Sequence, residues 1–109
     1  MLGYLFKSLK TLKTMKIKVY NLESPRSGNP VANQYEIQTD KYYIFQSYNT
    51  IIAKKERGFL GKVILDPYYW NYSRTTLKYL KQFLGINISS KEIEQRIKNG
   101  TYKTRNLNK

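Results

Sequence analysis

A chain of 109 residues is long enough for one domain with a modest hydrophobic core. It has no cysteine, which excludes disulfides and thiolate metal sites, and no histidine, which excludes the commonest zinc ligand and general base. Its 20 lysine and arginine residues outnumber its 7 aspartate and glutamate residues, and the net charge of +13 favours a polyanionic partner, most commonly nucleic acid. An AT-rich genome would also enrich lysine, but it should enrich aspartate too, and only Asp40 and Asp66 are present.

The first predicted element is a basic amphipathic helix over residues 1–14. Its apolar side chains recur at helical spacing, while its three lysines occupy another face. Such a segment suits an anionic membrane surface, a cap on a sheet, or an extension upstream of a domain that starts at Met15. Because a new strand pattern begins directly after Met15, we favour the cap or the extension, and a membrane partner is the weaker alternative.

The next segment is a strand followed by a long loop. Residues 16–22 alternate in the manner of a half-buried strand. Residues 23–30 contain two prolines and a glycine among small polar residues, which predicts a loop. The loop carries Arg26, and its small neighbours could cradle a phosphate through backbone amides, although such loops more often only turn the chain.

Four further segments complete a predicted antiparallel sheet of four or five strands. Residues 31–39 and 41–48 form the clearest hairpin, and period-two alternation places Tyr43 and Phe45 on one face of it. Residues 50–55 fit either a strand or a short helix, and residues 59–66 fit a last strand.

Two C-terminal helices are predicted after Pro67. Ser73 is placed to cap a helix over residues 74–84, which Gly85 ends. Ser89 and Glu92 form a capping box for a second, short helix that ends near Gly100. The predicted fold class is therefore α+β, with a single domain over residues 15–100 and a flexible basic tail over residues 101–109.

Three ordered sequence blocks resemble an uncharacterised family of small proteins from tailed bacteriophages of gut bacteria. The blocks are NPVANQ at residues 29–34, FQSY at 45–48 and WNYSRTTLKY at 70–79. The resemblance spans residues 17 to about 105. It implies a viral origin and one compact domain, and it assigns no catalytic residue and no function.

Catalytic chemistry is difficult to build from this sequence. The acidic residues are scattered, whereas a metal-dependent nuclease needs clustered carboxylates. Glu36, Asp66 and Lys62 would converge only if their strands were neighbours. No glycine-rich phosphate loop is present, and no serine has a histidine to activate it. We therefore expect a protein that is not an enzyme and that uses no metal or cofactor.

Aromatic residues favour a binding role, since the chain has eleven tyrosines, four phenylalanines and one tryptophan. Tyrosine works half-exposed and can stack on an unpaired base. We expect Trp70 and Phe45 to belong to the core. Tyr69 and Tyr72 precede the basic helix and are candidates for contact with a ligand.

The cations are concentrated towards the C-terminus, with nine against two acidic residues from Arg74 onward. Arg74, Lys78 and Lys81 fall on one face of their helix, and Thr75, a poor helix former, is either a capping competitor or a ligand contact. The predicted nucleic-acid-binding residues are Arg74, Lys78, Lys81, Arg96, Lys98, Lys103, Arg105, Tyr69, Tyr72, Thr75 and Arg26.

The leading hypothesis is a phage-encoded, non-enzymatic nucleic-acid-binding accessory protein in the cytoplasm of the host cell. The alternative is a phage inhibitor that docks on an acidic or nucleic-acid-binding face of a host defence protein. A virion component that contacts packaged DNA is a further possibility, as is a peripheral membrane protein that uses residues 1–14.

Overall fold

A computed structural model describes residues 16–58 and 61–109, and it confirms the α+β class. One six-stranded sheet has the order β1-β2-β3-β4-β5-β6, antiparallel throughout except between β5 and β6. The strands are β1 (Lys18–Glu23), β2 (Pro30–Gln38), β3 (Tyr42–Ser47), β4 (Thr50–Glu56), β5 (Val63–Leu65) and β6 (Tyr102–Thr104). The helices are α1 (Arg74–Leu84) and α2 (Ser90–Lys98).

The expected strand number, four or five, was wrong because a sixth strand lies within residues 101–109. Strand β6 returns after the two helices and pairs in parallel with β5, with Val63 opposite Tyr102. The pairing satisfies backbone groups of β5 that β4 leaves open, and it buries Tyr102. The predicted helix over residues 1–14 lies outside the described residues. Within the described residues, neither helix has the length and apolar character that a bilayer span requires.

The helices pack on one face of the sheet and form the core with it. Helix α1 contacts β3 and β4, and α2 contacts β6. Phe45 and Trp70 are buried in this core, as predicted, and the Phe45 ring stacks on Phe83 at 5.8 Å. Tyr43 packs against the same core, which confirms the face predicted for it. A bulge in β4 places both Ile52 and Ala53 in the core, because the register with β3 shifts there.

The other face of the sheet carries the strand residues that alternate with the core-facing ones. One row of direct cross-strand neighbours runs over all six strands: Val19, Ile37, Ile44, Lys54, Ile64 and Lys103. Lys54 places its ammonium group 4.9 Å from the ring centre of Tyr42 on this face. Lys103 therefore lies on the sheet face opposite to the two helices.

The buried carboxylate of Asp66 ties the end of β5 to the C-terminal segment. Its Oδ1 accepts hydrogen bonds from the backbone amides of Tyr68 and Tyr69, at 2.9 and 3.2 Å. Its Oδ2 accepts from the Leu107 amide and from the Asn108 side chain, both at 3.0 Å. The Asn108 side chain also bonds both backbone groups of Ile51. These bonds connect Leu107 and Asn108, which lie in the segment predicted as a flexible tail, to β4 and to the end of β5.

Candidate nucleic-acid interface

Helix α1 is positioned by local signals that were readable in the sequence. The Ser73 hydroxyl accepts a hydrogen bond from the Thr76 amide at 3.1 Å, which makes Ser73 the N-cap. Gly85 has a left-handed backbone with φ of 68°, and its amide bonds the carbonyls of the last turn. Ser89 caps α2 in the same way by accepting from the Glu92 amide. All three predicted caps are confirmed.

The cations predicted to share a face of α1 do so, and they line one groove. This groove has a volume of about 520 Å³, and Arg74, Lys78 and Lys81 contribute its charge. Its other described lining residues are neutral: Pro25, Leu77, Gln82, Ile86 and Asn87. We call this surface the α1 groove. Since no acidic residue is among the described lining, the groove presents a single sign of charge.

The loop that carries Arg26 lies beside the α1 groove. Pro25 is part of the groove, and the Gln82 side chain donates a 2.9 Å hydrogen bond to the carbonyl of Glu23 at the start of the loop. Ser24 and Ser27 satisfy the loop backbone with their own hydroxyls. Arg26 is exposed and follows Pro25 directly, so tertiary contacts bring this loop to the basic face of α1.

A second concavity lies at the N-terminal end of α1 and is rich in tyrosine. Its volume is about 290 Å³, and Tyr48, Tyr69 and Tyr72 provide its aromatic lining. The remaining described lining residues are Ser47, Asn49, Thr50, Ile52, Ser73 and Thr76. We call it the tyrosine pocket. Among the described residues that line it, none is charged.

Buried hydroxyl groups form the polar part of the tyrosine pocket. Ser73 donates to the Thr76 hydroxyl at 3.0 Å, and the Thr76 hydroxyl lies 3.3 Å from that of Ser47. Because Thr76 accepts from Ser73, it can donate to Ser47, and the Ser47 proton then remains available to another acceptor. Ser47 and Thr76 are each only 4 % exposed. The pocket therefore contains hydroxyl groups that both donate and accept hydrogen bonds.

The chain matches a family of unknown function (DUF8033) over residues 15–100. It belongs to this family. No curated protein and no solved structure matches the chain.

The DUF8033 match contains the α1 groove and the tyrosine pocket but ends before β6. All three of the sequence blocks at residues 29–34, 45–48 and 70–79 fall within the matched range, and two of them line the pocket, through Ser47 and Ser73. Gln34 is the cross-strand partner of Ser47. Residues of this chain that are far apart in sequence, Gln34, Ser47 and Ser73, therefore lie in one region of the fold.

The other predicted binding residues lie apart from the α1 groove. Arg96 is half-buried, and its guanidinium donates to the Tyr102 hydroxyl at 2.8 Å and lies over that ring at 5.4 Å. Lys98 lines a separate groove of about 390 Å³ beside Trp70. Lys103 and Arg105 are exposed but follow the DUF8033 match, and Thr75 is exposed without lining the α1 groove or the tyrosine pocket.

The acidic residues considered for metal binding are far apart in this fold. Glu36 is on β2 and Asp66 follows β5, with β3 and β4 between them, a separation of roughly 14 Å at the usual strand spacing. Both Asp66 oxygens are occupied by hydrogen bonds. The described residues contain no group of three acidic side chains placed to hold a metal ion.

Sequence reasoning missed the part of the site that the β3–β4 turn contributes. Tyr48 and Asn49 join Ser47 to Thr50 as a two-residue hairpin loop. Such loops favour glycine or asparagine, since positive φ angles are needed, and here Tyr48 takes a φ of 55°. The sequence signal for this part of the site is a tyrosine at a turn position that usually holds glycine. That signal is recognisable only when the turn between β3 and β4 has been located.

Proposed function

We propose that this DUF8033 protein is a phage-encoded, non-enzymatic accessory protein that binds nucleic acid through the α1 groove and acts in the host cytoplasm. The observation that carries the proposal is the alignment of Arg74, Lys78 and Lys81 in one groove with no acidic residue in its described lining. The phage origin rests on the resemblance of the three sequence blocks.

The spacing of the three cations supports phosphate contacts. Residues 74 and 81 are seven positions apart, which is about 10 Å along a helix at 1.5 Å per residue. A nucleic-acid strand advances about 3.4 Å per phosphate along the duplex axis, so this length corresponds to roughly three phosphates. The Arg26 loop extends the same positive surface beyond the helix.

The overall charge supports the same partner. With a net charge of +13, the protein attracts polyanions over a distance and repels further copies of itself. Lys78 and Arg74 are exposed, so their charges are available to solvent and to a ligand.

The test is the salt dependence of binding to single-stranded DNA, duplex DNA and RNA. A protein that neutralises three phosphates has a slope of about −2 to −3 in log affinity against log salt concentration. Lys78→Gln and Lys81→Gln should each reduce the magnitude of that slope by about 0.7–0.9. Lys91→Gln is the matched control, because Lys91 is an exposed lysine of α2 that lines neither surface.

Two outcomes would contradict the proposal. One is an affinity that does not change with salt, or that Lys91→Gln weakens as much as Lys78→Gln does. The other is a host protein that stays bound after nuclease treatment while no nucleic acid binds at low salt, which would favour the inhibitor hypothesis.

A further inference from the structure

The tyrosine pocket is small in volume, and its described lining is uncharged and rich in aromatic rings. Its described lining holds no charged side chain, so it offers no compensation for a buried charge. Its volume of about 290 Å³ is just below the usual range for small-ligand sites, which begins at about 300 Å³. Tyrosine rings supply flat apolar surfaces, and hydroxyl and amide groups supply hydrogen bonds. A heteroaromatic ring with polar edges fits all of these properties.

Two of the tyrosines are unusually exposed for aromatic residues that line a concavity. Tyr48 is 63 % exposed and Tyr72 is 72 % exposed. Tyr69 is half-buried and meets Tyr72 edge to face, with ring centres 5.9 Å apart. The contact supports the Tyr72 ring from one side and leaves most of its surface open to a stacking partner.

The backbone at Tyr48 is held in an uncommon conformation by its neighbours. Its φ of 55° is in the region that a bulky side chain rarely adopts. The Tyr48 amide donates a 2.6 Å hydrogen bond to the Asn33 carbonyl, and the Gln46 side chain donates to the Tyr48 carbonyl at 2.7 Å. Strain of this kind persists where surrounding contacts fix it, and it clusters at binding sites.

A buried polar atom lies next to the pocket without a partner. Gln34 is 2 % exposed, and its Oε1 has no hydrogen-bond donor. Gln34 is paired across the strands with Ser47, which lines the pocket. An unsatisfied buried acceptor is uncommon in a folded protein, and here it marks the same corner of the fold as the strained turn.

We propose that the tyrosine pocket holds one unpaired nucleobase of a single-stranded nucleic acid, while Arg74 contacts the adjoining phosphate. The inference rests on the proposed function and adds the class of ligand. Ser73 lines the pocket and Arg74 lines the α1 groove, so the two surfaces meet at consecutive residues. A strand whose base enters the pocket continues past Arg74 towards Lys78 and Lys81.

The decisive experiment compares two oligonucleotides that differ only in their bases. The ligands are an oligothymidine of about ten nucleotides and an abasic strand of equal length, since this length covers one typical single-strand site. Tyr72→Ala should weaken oligothymidine binding about 5- to 150-fold, the range for loss of one base stack, and leave the abasic strand unaffected. Lys78→Gln should weaken both ligands.

The matched control is Tyr68→Ala. Tyr68 lies in the same turn and is 76 % exposed, but it does not line the pocket, so its removal should change neither affinity. Titration with free thymidine, followed through the ring signals of Tyr48 and Tyr72, tests the pocket without any phosphate.

The outcomes separate the two proposals. If both oligonucleotides bind equally, or if Tyr68→Ala weakens oligothymidine binding as much as Tyr72→Ala does, the pocket proposal is overturned and the α1 groove stands. If neither oligonucleotide binds at low salt, the proposed function is overturned. In that case, shifts of the Tyr48 and Tyr72 signals with free thymidine would still support base binding in the pocket. Unchanged signals would overturn the pocket proposal too.

Discussion

The Ser47 hydroxyl on β3 lies 3.3 Å from the Thr76 hydroxyl on α1, and both residues are only 4 % exposed. This pair joins the sheet to the helix at the base of the tyrosine pocket. Both hydroxyls are compatible with burial because each has a hydrogen-bond partner. The hydroxyl of Ser73, the N-cap of α1, donates to Thr76 and adds a third member to this hydrogen-bonded series. The pocket is therefore built on the contact that fixes α1 against the sheet.

Replacing Thr76 with valine should destabilise the protein by about 1–3 kcal/mol. The change keeps the shape of the side chain but leaves the hydroxyl of Ser47 buried without this partner. The free energy of unfolding from urea titration measures the effect. Thr75→Val is the control and should stay within about 0.5 kcal/mol, since Thr75 is exposed. Equal losses of unfolding free energy for Thr76→Val and Thr75→Val would contradict a stabilising role of the contact between the Ser47 and Thr76 hydroxyls.

Replacing Tyr48 with glycine should preserve or raise stability while it weakens binding of single strands. Glycine adopts a positive φ without the strain of a Cβ atom, a relief of roughly 1 kcal/mol or more. Tyr48→Ala is the comparison, because it also removes the ring but keeps the strain. Thermal unfolding should place the glycine variant above the alanine variant. The reverse order would mean that the backbone at Tyr48 carries no strain.

Replacing Asp66 with asparagine should cost about 3 kcal/mol of unfolding free energy. The carboxylate accepts four hydrogen bonds in a fully buried position, and an amide nitrogen would face donors where an oxygen now accepts. Amide hydrogen exchange should show the loss of protection first at Leu107, whose amide bonds Asp66. Unchanged protection at Leu107 would contradict this account of the C-terminal segment.

Replacing Arg96 with glutamine should lower stability by about 1 kcal/mol and leave the salt dependence of nucleic-acid binding unchanged. Arg96 joins α2 to β6 through the hydroxyl and the ring of Tyr102, so its side chain is engaged within the protein. Lys98→Gln is the control for stability, since Lys98 is exposed on the same helix. If Arg96→Gln reduces the magnitude of the slope of log affinity against log salt concentration, Arg96 belongs to the binding surface.

The sequence by itself determined the elements whose signals are local. Ser73, Gly85 and Ser89 cap the helices because a hydroxyl or a left-handed residue satisfies the nearest backbone groups, and this requires no distant partner. Alternation along β3 placed Tyr43 and Phe45 on one face of the hairpin, and that face packs against the core. The helix alone also brings Arg74, Lys78 and Lys81 to one face, because they are spaced at i, i+4 and i+7.

Only the tertiary structure decided which distant residues meet. Strand β6 has three residues, too few for a sequence pattern, and it forms because the open edge of β5 offers unpaired backbone groups. The tyrosine pocket unites the hairpin turn at Tyr48 and Asn49 with a tyrosine-rich turn and helix start at residues 69–76, which lie 20 or more positions further along the chain. Hydroxyls such as those of Ser47 and Thr76 look like surface groups in a sequence, and they become buried only because each finds the other across that distance.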